Sequence, residues 1–407
     1  MRRSAPALVP AAAAAAVAVA AVVVVVVAPT ASLAAPRCRL VERPWLEGRR
    51  GEGGAPSRAV DARLGETLHV FVAAPALVDG KRLVLGDSGA RGRTPFSAVA
   101  DACGAPRITW RRVEPRAEHV DTPAPNGDVK VYANAVVFGP KHGTWLGYDR
   151  LEYVETPIAE QAAARLDVTD ARPSEATGVA PRTGPAALLG TMRLAARVEL
   201  AGAQADTPGA EDAPAGQISS RVFRYSFRAG DDFLGWLSSF YNVPYLFGSA
   251  GKGARNQAER AIGADCADVL VAALRRSGHR TMEYSSVAGL VDQLERIAGP
   301  VEIAPDEARR VRWGGPDGVR PGDLLAIDYV DFDGLPKAWD HIVALVEDRG
   351  PNGAPPDGLL GPEDLVIDTG DKIGLKVAPL AHQGHVRVAV LRPRGGGRWP
   401  DHRTRPR

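Results

Sequence analysis

The chain has 407 residues, enough for two or three domains, and 45% of them are hydrophobic, which supports sizeable cores. Its net charge is +2, from 50 Lys and Arg against 48 Asp and Glu. No large basic footprint exists, so a nucleic-acid partner is excluded.

Met1-Arg2-Arg3 opens the chain and a long Ala/Val run follows, ending in Val22–Val27. Small residues at Ala31-Ser32-Leu33-Ala34-Ala35 suit cleavage near Ala34 or Ala35. Residues 1–35 therefore read as a signal peptide. The alternative is an uncleaved N-terminal anchor, the one segment through which the chain would meet a membrane. Either way the remainder lies outside the cytoplasmic membrane, periplasmic or secreted.

Residues 36–227 read as a β-rich module, a small sandwich or barrel, with an irregular linker. Short apolar runs at 68–72, 82–85, 129–132, 135–138 and 150–154 alternate with turn chemistry. Residues 158–184 read as a linker or crossover, 193–200 as a strand, and the Pro/Gly/Asp-rich stretch 202–216 as a flexible loop. Residues 221–227 alternate with period two and read as a strand. Gly86-Asp87-Ser88-Gly89 resembles a serine-protease nucleophile segment but reads as a turn. Gly248 to Gly253 lacks phosphate-loop spacing.

From residue 228 to 393 the pattern changes to helices followed by strands, an α+β arrangement. A short helix starts at 231–237. Asp265 can N-cap a second helix that begins at Cys266, with Arg275 and Arg276 in its last turn and Gly278 as its C-terminal cap. Ser285 to Ile297 reads as an amphipathic helix, with Val287, Leu290, Val291, Leu294 and Ile297 on one face. Strands follow at 323–329, 341–347, 365–369 and 386–391. His382-x-x-His385 reads as a solvated loop, and residues 394–407 as a disordered basic tail.

The three cysteines divide unevenly along the chain. Cys38 and Cys103 lie in the same N-terminal region and, in an exported protein, can form a disulfide. Cys266 is then left over, a candidate reactive thiol. In the first turn of a helix the macrodipole favours its thiolate. A thiol nucleophile needs a base and an orienting partner. His341 opens one strand and Asp368 lies in the next, so Cys266, His341 and Asp368 form a candidate set in which the carboxylate steers the imidazole. Backbone N–H groups at the helix start would serve as an oxyanion hole. No metal or cofactor is called for.

Five segments occur in an order that resembles the NlpC family of bacterial cell-wall cysteine peptidases. They are Pro244-Tyr245-Leu246-Phe247-Gly248, Asp265-Cys266-Ala267-Asp268, Arg320-Pro321-Gly322-Asp323-Leu324, His341-Ile342-Val343 and Ile367-Asp368. The resemblance implies a papain-like catalytic domain over residues 228–393 preceded by the β-rich domain. It also implies Cys266 as nucleophile, His341 as base, Asp368 as orienting residue and Tyr245 as a substrate-positioning tyrosine near the thiol. The expected activity is an exported cysteine hydrolase that cleaves amide bonds in peptidoglycan stem peptides through an acyl-enzyme. Ala267 and Asp268 replace the family's usual Ser-Gly, and the third residue is Asp where His is common. Two alternatives remain open: a catalytically inactive cell-wall binding or scaffolding protein, and an amidase or acyltransferase acting on another amide or ester.

Overall fold

A computed structural model describes residues 37–118, 150–161, 163–177, 182–213, 218–246, 248–250, 256–304, 311–314, 318–330, 339–369 and 374–394. The expected leader, the strands at 129–132 and 135–138, and the basic tail from residue 395 lie outside the described residues.

β4 (Leu68–Val78) organises the first sheet, because its eleven residues serve two sets of partners. Its first half pairs with β2 (Trp45–Arg50) and β8 (Arg165–Val168). Its second half pairs with β1 (Cys38–Leu40) and β5 (Lys81–Leu85). α1 (Ala100–Cys103) carries Cys103 to Cys38, and the two form a disulfide.

The second sheet runs β3 (Ala59–Arg63), β11 (Phe223–Arg228), β9 (Gly190–Leu200), β6 (Arg107–Glu118), β7 (Arg150–Gln161), with β10 (Ala203–Asp206) paired to β9. β3 and β11 are parallel and the other pairs antiparallel. Gly48 in β2 admits the Phe223 ring of β11: a Cβ there would come within 2.6 Å of it.

The third sheet is antiparallel throughout, in the order β12 (Leu294–Ile303), β17 (Val386–Pro393), β13 (Leu324–Tyr329), β14 (His341–Glu347), β15 (Leu365–Thr369), β16 (Leu375–Pro379). Its side chains alternate between two cores, as period-two pleating demands. Leu324, Ala326, Ile342, Ala344, Ala389 and Leu391 join the main apolar cluster with α3 (Cys266–Ser277). Leu325, Ile327, Val343, Leu345, Val388 and Val390 form a second cluster. The main cluster also takes in Leu68, Trp110 and Phe227, so the β-rich part and the C-terminal part share a core. The architecture is a mixed, α+β arrangement of several sheets and a few helices.

Tertiary pairing overrides three local expectations. The helix expected over 285–297 is confined to α4 (Val287–Gln293), and from Leu294 the chain joins β17 as a strand. β12 stands at the sheet's edge, where Pro300 removes no interior hydrogen bond. The expected linker contributes the end of β7 and all of β8. The expected flexible loop forms the β9–β10 hairpin, fastened by Arg197 on Asp206 at 3.1 Å and by Arg43 on the carbonyls of Asp206 and Thr207 at 3.2 and 3.1 Å.

Candidate functional site

The N-terminus of α3 is built by its sequence. The Asp265 side chain accepts the Asp268 N–H at 2.8 Å, which satisfies one otherwise unpaired donor of the first turn. Arg275 and Arg276 occupy the last turn, and Gly278, at φ +122°, takes a cap conformation that other residues resist. Cys266 is thereby fixed as the first residue of a helix whose apolar face is buried against the main core. The thiol is free and buried, with 9% of the residue exposed.

His341 begins β14, and the register Ala344 opposite Ile367 sets it near Asp368 on the neighbouring strand. The imidazole Nε2 and Asp368 Oδ1 lie 2.6 Å apart. Asp368 Oδ2 accepts from Gln383 Nε2 at 3.0 Å, and the Lys376 ammonium stands 3.7 Å away. Tyr329 donates its hydroxyl to Gln383 Oε1 at 2.8 Å and stacks its ring on His341, centroids 6.5 Å apart. Burial opposes charge on His341, but the Cys266 sulfur and the Asp368 carboxylate outweigh it and push its pKa up to about 10. Burial likewise raises the Asp368 carboxyl, yet its bonds to His341 and Gln383 and the nearby positive charges hold it below the usual range.

The structure thus brings Cys266, His341 and Asp368 together. Tyr245 bridges through its backbone to Ala264, two residues before the thiol, and its half-buried side chain packs on the cluster of Val113, Leu151, Leu246 and Ile262. Cys38 and Cys103 are bonded to each other and buried.

Several participants carried no signal of their own in the sequence. Gln383 lies beside the His382-x-x-His385 segment, in which His382 is exposed and His385 stands 3.8 Å from Glu302. Asp268 is clamped by Ser249 Oγ and the Ala250 N–H, each at 2.7 Å, while Asp265 accepts the Gly248 N–H at 2.8 Å. Burial and the charge of Asp268 push the Asp265 carboxyl up to about 7, and burial raises Asp268 as well. The sequence signal was the Asp265-x-x-Asp268 spacing, which places two carboxylates in one helical turn. Ser88 is fully buried and bonds Glu47, so the Gly86–Gly89 segment is a structural turn.

A scan against protein-family models, a search of curated proteins and a search of solved structures each found no match. The expectation of a cysteine hydrolase cleaving peptidoglycan stem peptides is overturned, and with it the assignment to thiol peptidases. Cys38 and Cys103 are held in a disulfide and offer no thiol. The one free thiol, Cys266, is enclosed. Among the described residues no group of three or more His, Cys, Asp and Glu is arranged to hold a metal. A peptide substrate needs an open cleft at the sulfur. Two cavities among the described residues lie away from it, one around Arg49, Arg228 and Trp236 and one around Leu40 and Ala203.

Proposed function

We propose that the protein acts outside the cytoplasmic membrane as a non-catalytic cell-wall binding or scaffolding protein. Its C-terminal part is a papain-like arrangement of helix and antiparallel sheet, kept for its shape. One observation carries this reading: the Cys266 thiol and the His341 imidazole, the two groups a thiol enzyme must bring to its substrate, are both largely buried. The His341 side chain is 13% exposed and that of Asp368 5%. Both oxygens of Asp368 are engaged, and Tyr329 and Gln383 close the network. A fully bonded buried network rigidifies a core. Support for a wall location comes from the leader-like residues 1–35.

The test has two arms on the full-length protein. Iodoacetamide at neutral pH should label Cys266 more slowly than a free model thiol, and the protein should co-sediment with purified sacculi equally well as wild type and as Cys266→Ala. Fast labelling together with release of muropeptides would sink the non-catalytic half of the proposal. Failure to co-sediment would sink the wall-binding half.

A further inference from the structure

A cavity of about 970 Å3 opens where the ends of β2, β3 and β11 meet α2 (Phe233–Ser238). Its size is that of a small-molecule site. Three arginines line it, Arg49, Arg50 and Arg228, together with the Trp236 ring and the hydroxyl residues Ser57 and Thr67. Two carboxylates share the wall, and each is engaged: Asp61 accepts from Arg224 Nη1 at 2.7 Å, and Glu66 accepts the Arg63 N–H at 2.7 Å.

The arginines are held in place but not fully satisfied. The Arg228 side chain is 6% exposed; it bonds Asp231 through Nε and Nη2 at 3.1 and 2.7 Å and lies 4.0 Å over the Trp236 ring. Its Nη1 is buried and has no hydrogen-bond partner. Arg49 donates to the Ser88 carbonyl and to Glu52, both at 2.9 Å, but its Nε is also buried without a partner. Arg50 is exposed and forms no ion pair among the described residues. Burial lowers the proton affinity of Arg228, and the charges of Arg63 and Arg50 add to that effect against the pull of Asp61. Positive charge is therefore crowded at one wall, with leftover donors. A guanidinium buried beside other cations is costly, and an oxyanion in the cavity would offset that charge.

We propose that this cavity binds an anionic saccharide, a sugar carrying a carboxylate or phosphate group. Arg228 and Arg49 hold the oxyanion, Arg50 attracts it from the rim, and Ser57, Thr67 and Trp236 face the sugar body. The volume exceeds what a bare ion needs, and hydroxyl groups beside an indole suit a polyol ring. The inference does not rest on the wall-binding reading or on Cys266.

Isothermal titration of the full-length protein with glucuronate, glucose 6-phosphate, glucose and inorganic phosphate tests it. Both charged sugars should bind saturably, and glucose at least about tenfold more weakly, the loss expected when a charge-assisted contact is missing. Arg228→Gln and Arg50→Ala should each weaken the charged sugars by several-fold or more. No saturable binding, or glucose binding as well as its charged analogues, would overturn the proposal. Inorganic phosphate binding as tightly as glucose 6-phosphate would overturn the saccharide class. If Arg228→Gln fails to fold, Arg50→Ala decides alone: unchanged affinity in a variant of unchanged melting rules the site out.

Discussion

Around Asp368 both carboxylate oxygens are taken, one by His341 and the other by Gln383, whose own oxygen accepts from Tyr329. In the arginine cavity the Arg228 guanidinium keeps a buried Nη1 with no partner, and Arg49 a buried Nε. Both clusters concentrate charge inside one molecule, yet only the second has bonding capacity left over. Polar groups buried without partners are expensive, so each calls for an explanation, and at the cavity wall a ligand is one. The contrast separates charge that holds the fold from charge that awaits a ligand, and it can be broken by substitutions whose effects on stability and on binding should fall on opposite sides.

The largest effect is expected at Asp368. Asp368→Ala leaves an imidazolium buried without its carboxylate, and breaking one partner of a buried pair costs about 3–5 kcal/mol. Urea denaturation near pH 6 measures it. A loss below about 1 kcal/mol would mean that the network contributes little to the fold, and the contrast would fail at its first term.

A pH effect comes next. Asp265 has its pKa raised to about 7 from an ordinary 3.8. The folded state therefore holds this proton more tightly than the unfolded one, and stability falls as pH rises from about 4 to about 7. His341, raised from 6.5 to about 10, acts in the same direction in a higher window. Its contribution is full below about 6.5 and is lost as pH climbs toward 10. Asp268→Asn removes the charge that helps raise Asp265, so it should flatten the lower window and leave the upper one. Denaturation at pH 4.5, 7 and 9 separates the two. An unchanged slope between pH 4.5 and 7 would show that Asp268 does not govern Asp265.

Gln383→Ala should cost less, about 1–2 kcal/mol, because it frees Asp368 Oδ2 and the Tyr329 hydroxyl while the His341–Asp368 bond survives. Thermal melts beside Asp368→Ala would rank the two. Equal losses would indicate that the network acts as one unit, with Gln383 as indispensable as the carboxylate.

What could be read from the sequence follows the range of the interactions involved. The Cys266 helix was legible because its cap, its basic last turn and its terminal glycine all lie within fourteen residues. Four of the six strands of the C-terminal sheet, β13, β14, β15 and β17, were legible from their apolar runs, whereas β16 was not expected. The end of α4 was not, because Leu294 and Ile297 continue a helical period and only pairing with β17 turns them into a strand. β8 and β10 were missed for the same reason, since both are polar segments drawn into sheets by β4 and β9. In the candidate site, the order of Cys266, His341 and Asp368 pointed to three side chains that meet, but nothing local announced Gln383 or the clamp of Ser249 on Asp268. Burial was the hardest property to foresee, and it decides between an open thiol and an enclosed one. The arginine cavity was invisible because Arg49 and Arg228 are joined only by the folding of β2 and β11 across the structure.

Arg50→Ala is expected to change stability least, and for that reason it tests the contrast most directly. The side chain is exposed and unpaired among the described residues, so its removal should shift unfolding by no more than about 0.5 kcal/mol. The same substitution takes one positive charge from the rim of a cavity whose deeper donors are unsatisfied. Affinity for glucuronate should therefore fall and its salt dependence weaken, because a screened charge at a rim acts through long-range attraction. A paired measurement of melting and titration on this variant would place Arg50 on one side. Lost stability with unchanged binding would return the arginine cavity to the structural class that Asp368 represents. Lost binding with unchanged stability would show charge retained for a ligand in a molecule whose other charged cluster is closed.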